Sequence, residues 1–239
     1  MKDFRVTLLR DILGYSTVWI PEGNKLYKLY QLEQIAVKCK KCPLYATRNK
    51  FVFGWGNPYS GIMAVGEAPG PEEDELGKPF VGRAGEFLDY AMREAGIDRE
   101  RDLYLANVLK CFPIKITNGN HLNGKINGNP QPFRRTKAFR EPHPSEIKAC
   151  SNWLEAQISI IKPKFILAMG NPSIRYFLGP NVNISFIAGQ PRKIRGGEIT
   201  VFPIHHPSFI IRNKTPENEK RYIELLKKFR EVVGDLIPR

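Results

Sequence analysis

Acidic residues are scarce in this sequence of 239 residues, and long hydrophobic runs are missing. Asp and Glu number 24 against 37 Lys and Arg, so the formal net charge is +13. Such an excess favours a polyanionic partner such as nucleic acid, although a basic surface can also be uninvolved in binding. No apolar run approaches the roughly 20 residues of a membrane-spanning helix. We therefore expect no membrane partner.

Cysteine is also rare, and its spacing is informative. The N-terminal residues lack the apolar block of a signal peptide, so a cytoplasmic protein is expected. Disulfides are uncommon in that compartment. The four cysteines are Cys39, Cys42, Cys111 and Cys150, and the first two form a Cys-x-x-Cys pair. They favour one tetrahedral metal site or one cluster site.

Apolar segments of two kinds alternate along the chain. Short strands are expected at 61–67, 102–109, 165–169 and 200–204. Helices are expected at 26–37, 82–96, 145–161, 170–177 and about 216–234, with Ser145 as an N-cap. This order predicts an α/β fold with three layers, α/β/α, around a central, mostly parallel four-stranded sheet.

Two segments do not fit the layered pattern. Residues 1–25 are expected to be an N-terminal extension of a domain that covers 26–239. An insert at about 112–143 is rich in Gly, Asn and Pro, and it is longer than an ordinary connection. Its six basic residues are Lys115, Lys125, Arg134, Arg135, Lys137 and Arg140. The insert is either a surface loop without a function or a loop that grips DNA phosphates.

Polar clusters follow three of the predicted strands, at 67–74, 107–111 and 205–212. Ligands bind at the carboxyl ends of parallel strands, so the clusters are expected to form one site. Together with Phe80 they offer an aromatic face, a side-chain amide, a hydrogen-bond donor and carboxylates. Those groups can stack a flipped pyrimidine, read its edge and stabilise charge. Each residue alone also has an ordinary structural explanation.

Five motifs together resemble one known family. They are CxxCPL at 39–44, GEAPG followed by EED at 66–74, GKPFVGRAG at 77–85, LANVLKC at 105–111 and HPSFIIR at 206–212. The combination resembles the family 4 uracil-DNA glycosylases, the iron–sulfur type. The resemblance runs from about residue 26 to about residue 234. It implies a monofunctional DNA repair enzyme that flips uracil out of single- or double-stranded DNA, hydrolyses its N-glycosidic bond and leaves an abasic site.

The resemblance also implies roles in binding the base. Asn107 would hydrogen-bond the uracil edge, and Phe80 would stack on the ring. His206 would donate a hydrogen bond to the charge that develops on uracil O2. Ala68 lies beside the base, at the position where better-known uracil glycosylases carry an aspartate.

Because Ala68 replaces that aspartate, another carboxylate has to position the attacking water. Glu67 is the first candidate and Glu73 the second. Glu73 would alternatively exclude the methyl group of thymine.

DNA contacts are expected on both sides of the base. Ser208 and Arg212 would contact phosphates, and 209–211 would wedge into the gap that the flipped base leaves. The alternative is an ordinary helix start capped by Ser208. Arg134 and Arg135 of the insert are further expected DNA contacts.

The resemblance further implies that the four cysteines bind a [4Fe-4S] cluster, whereas ligand count alone suits zinc equally. We expect a monomer located with the nucleoid through DNA. A sliding clamp is a partner of some relatives, although no clear clamp-binding peptide is present. Two other functions stay open: a uracil-DNA binding protein without turnover, and a zinc-stabilised nucleic-acid-binding module.

Overall fold

The computed structural model describes residues 24–117, 125–126, 129–130 and 136–237. The α-helices are α1 (Lys25–Ala36), α2 (Pro71–Leu76), α3 (Arg83–Glu94), α4 (Arg99–Asp102), α5 (Pro144–Ile161), α6 (Asn171–Leu178), α7 (Ile184–Ile187), α8 (Pro207–Arg212) and α9 (Pro216–Val233). The strands are β1 (Trp55–Gly56), β2 (Ile62–Gly66), β3 (Tyr104–Asn107), β4 (Ile114–Thr117), β5 (Lys125–Ile126), β6 (Asn129–Pro130), β7 (Thr136–Phe139), β8 (Phe165–Met169), β9 (Arg192–Ile194) and β10 (Ile199–Ile204). Short 3₁₀ turns cover Pro43–Ala46, Arg195–Gly197 and Gly234–Leu236.

The central sheet has six strands in the order β1-β3-β2-β8-β10-β9. Its four inner strands are parallel, as predicted, and both edge strands are antiparallel. The α/β prediction is confirmed, with six strands in place of four. The two additional strands hold only two and three residues. Strands so short have no measurable periodicity, and for that reason they were not predicted.

Helices cover both faces of the sheet, which confirms the three layers. Successive strand residues point to opposite faces, so Met63 and Val65 join one core while Ile62 and Ala64 join the other. Helices α1, α5 and α6 pack on the first face and α3, α8 and α9 on the second. Trp153 of α5 is fully buried in the first core.

Two helix starts differ from the predictions. Helix α5 begins at Pro144 with His143, not Ser145, as its N-cap. The backbone N–H of His143 donates to the Glu146 carboxylate at 2.9 Å, and Pro144 suits the first helical position. The short helix α2 at residues 71–76 was not among the predicted helices; it begins with Pro71 and carries acids in its first turn.

The ends of the insert form an antiparallel hairpin in which β4 pairs with β7 and Ile114 lies opposite Phe139. Most of the interior of the insert, including Arg134 and Arg135, lies outside the described residues, and so does nearly all of the 1–25 extension. Among the described residues, no helix has both the length and the apolar character needed to cross a membrane.

Candidate functional site

A cavity of about 390 Å³ opens where β2, β3 and β10 end. Its volume lies in the range of small-ligand sites, about 300–1,000 Å³. The cavity brings together eight residues that the sequence had singled out: Glu67, Ala68, Glu73, Phe80, Asn107, His206, Ser208 and Arg212. The three strand-end clusters therefore meet in one place.

Asn107 lines the cavity, and the oxygen of its side-chain amide is an unused hydrogen-bond acceptor. The residue is 3% exposed, and its Oδ1 is buried with no hydrogen-bond partner among the described residues. A buried carbonyl without a donor is costly, so it marks a position where a ligand can donate. Gly66 makes room for it, because a Cβ there would lie 2.5 Å from Oδ1 and 2.7 Å from the Phe80 ring.

Phe80 forms a wall of the cavity in an unusual backbone conformation. Its φ is +55°, a left-handed value that costs a bulky residue on the order of 1–3 kcal/mol. Gly85 permits the turn, because a Cβ at that position would lie 1.9 Å from the Phe80 carbonyl oxygen. The Phe80 ring stacks on the imidazole of His206, with centroids 6.1 Å apart and planes inclined by 30°.

The N-cap position of α8 sets the protonation of His206. The backbone N–H of Ser208 donates to His206 Nδ1 at 3.2 Å, so the neutral ring carries its proton on Nε2. Desolvation by burial lowers the pKa of His206 to about 4, and the positive charge of Arg212 acts in the same direction. The imidazole is therefore a neutral hydrogen-bond donor at pH 7.

Glu67 lies immediately after β2 and lines the same cavity. Its pKa is raised to about 7, mainly by burial and in part by the negative charge of Glu141, while the positive charge of Arg212 acts in the opposite direction. A carboxyl group with such a pKa can accept a proton near neutrality.

The carboxylate of Glu73 is held by the backbone. It accepts from the N–H of Gly70 at 3.0 Å and from the N–H of Gly82 at 3.5 Å. The residue is 7% exposed. These bonds join the loop before α2 to the loop before α3, which favours a structural role over proton transfer.

Ser208 and Arg212 lie on α8, at the rim of the cavity. Arg212 Nη1 donates to Ser208 Oγ at 3.3 Å, and Ser208 Oγ lies 2.8 Å from His206 Nδ1. The cap of this helix is His206, not Ser208. In the segment expected as a wedge, Ile210 is buried whereas Phe209 is 42% exposed.

A second polar site lies between α1, the loop after β3 and α5. All four cysteines are free thiols, with Cys111 and Cys150 buried. Each sulfur accepts an N–H hydrogen bond. The donors are the Trp153 indole to Cys39 at 3.3 Å, the Leu44 backbone to Cys42, the Arg48 guanidinium to Cys111 at 3.3 Å and the Lys110 backbone to Cys150 at 3.2 Å.

The thiols are close enough to affect one another. The pKa of Cys111 is raised to about 11, mainly by burial; the Arg48 guanidinium acts in the opposite direction, and the charges of Cys42 and Cys39 contribute to the rise. Burial also raises the pKa of Cys150, to which Cys111 contributes. Thiolates here need a positive centre to stabilise them.

Sequence reasoning missed two features next to these sites. Lys110 is fully buried beside Cys111, and its Nζ donates to Gln157 Oε1 at 2.6 Å. Arg140, one of the six basic residues of the insert, forms an ion pair with Glu146, with 2.6 Å between Nη2 and Oε1. The residues beside Lys110 in the sequence do not reveal that its partner is Gln157, which is distant in the chain. The Arg140–Glu146 pair depends on where α5 begins.

Comparison with known proteins agrees with this geometry. The sequence model of the family described as the uracil DNA glycosylase superfamily matches residues 53–230. A type-4 uracil-DNA glycosylase of Thermotoga maritima is 39% identical over 82% of this chain and 90% of its own length. A type-4 enzyme of Sulfurisphaera tokodaii is 36% identical over 85% of this chain and 84% of its own. The chain therefore belongs to the uracil DNA glycosylase superfamily, among the type-4 uracil-DNA glycosylases.

Proposed function

We propose that this chain excises uracil from DNA: it takes the flipped nucleotide into the cavity and hydrolyses the N-glycosidic bond. Its relatives of 31–39% identity carry the name type-4 uracil-DNA glycosylase. The observation that carries the proposal is the buried Asn107 Oδ1, which has no partner in the part of the chain that the structure describes.

Asn107 would distinguish uracil from cytosine. Uracil presents an N3–H donor and an O4 acceptor, which match the Oδ1 acceptor and the Nδ2 donor of the amide. Cytosine presents an acceptor at N3 and a donor at C4, so both contacts would be mismatched. Sites built to hydrogen-bond a substrate reject an unmatched analogue by roughly 10⁴-fold, because buried polar groups are left unpaired. Phe80 and Ala68 would contact the ring of the bound base.

His206 and Glu67 would act on opposite sides of the breaking bond. When C1′–N1 breaks, uracil leaves with the electron pair, and its negative charge spreads to O2. The neutral Nε2–H of His206 would donate to O2 as that charge develops. Water adds its oxygen to C1′, and the Glu67 carboxylate would orient the water and accept its proton. Glu73, held by backbone N–H groups, would shape the loop.

A lyase step is not part of the proposal. Such a step needs an amine that attacks C1′ to form a Schiff base. Of the described residues that line the cavity, none is a lysine. The expected product is therefore an intact abasic site.

The four cysteines would hold an iron–sulfur cluster of the [4Fe-4S] type. In the described residues, no group of three or more His, Cys, Asp or Glu side chains is arranged to hold a single metal ion. A zinc ion would need its sulfurs roughly 3.8 Å apart, given Zn–S bonds of about 2.3 Å. A cluster binds each thiolate to a different iron and spaces the sulfurs more widely. The N–H donors at every sulfur fit such a ligand set, which would tie α1, the loop after β3 and α5 together.

The remaining expectations extend the same proposal. Ser208 and Arg212 would contact phosphates beside the flipped nucleotide, and Arg134 and Arg135 would add contacts from the insert. The enzyme would work as a monomer at the nucleoid, with residues 26–239 as the catalytic domain.

The direct experiment measures free uracil released from an oligonucleotide with one uracil, in single- and double-stranded form, by the protein with its iron intact. Glu67→Gln tests the carboxylate, and Glu75→Gln is the control, because Glu75 lies on α2 exposed and away from the cavity. The expected result is uracil release at the same rate by the parent protein and Glu75→Gln, and release slower by about 10²–10⁴-fold by Glu67→Gln.

The two alternatives give different results. A uracil-DNA binding protein without turnover would retain the oligonucleotide and release no uracil. A zinc-stabilised module would be colourless, would contain zinc in place of iron, and would bind DNA with and without uracil equally.

A further inference from the structure

The exposed ring of Phe139 lies beside the uracil cavity. Phe139 ends β7, at the base of the insert, and it lines the cavity together with Glu67 and Arg212. The side chain is 51% exposed. Its ring packs against the buried Phe112, with centroids 6.4 Å apart and planes inclined by 25°. A large exposed aromatic side chain next to a binding site is available to a ligand.

The position of Phe139 is anchored by its neighbour. The Arg140 backbone N–H donates to the Pro113 carbonyl at 3.0 Å, and its Nε donates to the Ile114 carbonyl at 3.2 Å. The same guanidinium forms two hydrogen bonds with the Glu146 carboxylate, at 2.6 and 2.9 Å. Such bidentate pairs hold a fixed geometry. The ring is thereby held at the rim by the framework of the protein.

Phe139 also belongs to a groove that continues from the cavity. The groove encloses about 960 Å³ and shares Glu67, Phe139 and Arg212 with the cavity. His205 and Phe209 line it too, with their rings stacked at 4.9 Å and inclined by 21°. Exposed aromatic rings along a groove with arginines are the pattern by which proteins bind the bases and the backbone of single strands.

We propose that Phe139 stacks on the base of a nucleotide next to the flipped uracil, and that it does so in single-stranded DNA. The role rests on the proposed uracil excision. In a duplex the flanking bases are paired and stacked on their neighbours, which leaves little of their faces for a protein ring. An unpaired base can turn onto the exposed ring. Phe139 therefore favours the single-stranded substrate over the duplex.

The test compares kcat/KM for uracil release from single- and double-stranded forms of one oligonucleotide. Phe139→Leu removes the aromatic face and keeps an apolar side chain, and Phe139→Trp keeps the face. The matched control is Tyr59→Leu, because Tyr59 is equally exposed, at 51%, and lies before the opposite end of β2. Iron content and thermal unfolding of each variant check that the fold is intact.

We expect Phe139→Leu to lower kcat/KM on single-stranded DNA about tenfold, in line with the contribution of one stacked base. The change on duplex should stay below about twofold by the same reasoning. Phe139→Trp and Tyr59→Leu should behave like the parent protein. Equal losses on both substrates, or no loss on single strands, would overturn the role of Phe139. Absence of uracil release by the parent protein would instead overturn the proposed function.

Discussion

The uracil cavity and the cysteine site lie on neighbouring parts of one sheet, and they differ in whether their polar atoms already have hydrogen-bond partners. In the cavity, Asn107 Oδ1 is buried and has no partner among the residues that the structure describes. At the cysteine site, each of the four sulfurs already accepts an N–H. A site for a ligand that binds and dissociates needs hydrogen-bonding groups that the protein leaves unused, because bonds to those groups distinguish the ligand from its analogues. A resident group is oriented permanently by the protein around it.

Burial also has different consequences at the two sites. In the cavity it lowers the pKa of His206, which keeps the imidazole neutral at pH 7, and it raises the pKa of Glu67 to about 7, which lets the carboxyl group exchange a proton near neutrality. At the cysteines it raises the pKa of Cys111 and Cys150, which makes their thiolates dependent on a positive centre. The comparison predicts that cavity variants change rates and keep iron, whereas variants around the cysteines change iron retention and keep rates.

Glu67→Gln should produce the largest effect. The amide cannot accept a proton from water, and loss of such a group costs about 10²–10⁴-fold in rate. We expect single-turnover uracil release to fall by that factor, with the visible absorbance of the protein unchanged. A comparable loss of absorbance would show that the two sites are not separate.

Gly66→Ala should produce the second-largest effect on the rate of uracil release. The added methyl would lie 2.5 Å from Asn107 Oδ1 and 2.7 Å from Phe80 Cζ. Displacement of a positioning group by about 1 Å costs up to about 10²-fold, so uracil release should fall to that extent while iron stays constant. Gly196→Ala provides a control for a strained glycine replacement away from the cavity: its φ of +67° strains the alanine, but its added methyl would meet nothing within 4 Å.

The pH profile should depend on Glu67. On the proposed mechanism the Glu67 carboxylate is the active form and its pKa is about 7, so activity should be half-maximal near pH 7, level off about one unit above it and fall about tenfold per unit from about one unit below it. His206 stays neutral across this range because its pKa is about 4. Single-turnover rates measured from pH 5 to pH 9 test this fall in activity at low pH. The rate of Glu67→Gln should not show it.

Lys110→Met should have the smallest effect on rate and a clear effect on iron. Lys110 Nζ is buried with a neutral amide as its partner, and burial lowers its pKa to about 7, whereas the negative charges of the Cys150 and Cys111 thiolates favour its protonated form. Without that positive charge the thiolates are less stable, so iron should be lost to a chelator several-fold faster. Lys41→Met is the control, because Lys41 is also near Cys39 and Cys150 but is exposed to water. Equal iron loss from both variants would contradict a special role for Lys110.

Much of the fold and the site could be predicted because both depend on local patterns. Buried strands such as β2 and β8 are continuous apolar runs, and the polar residues after them had to meet at one sheet edge. The edge strands β1 and β9 were missed because pairing partners, not periodicity, define them. The place of Phe139 likewise depends on β4, β7 and the Arg140–Glu146 pair, which join residues distant in the sequence.

The most direct test is base selectivity in Asn107→Asp. The account predicts that the parent protein releases uracil and leaves cytosine in place, whereas the variant loses most uracil release and keeps its iron, because a carboxylate lacks the donor that O4 requires. Undiminished uracil release by Asn107→Asp with the same selectivity would contradict recognition through the Asn107 amide.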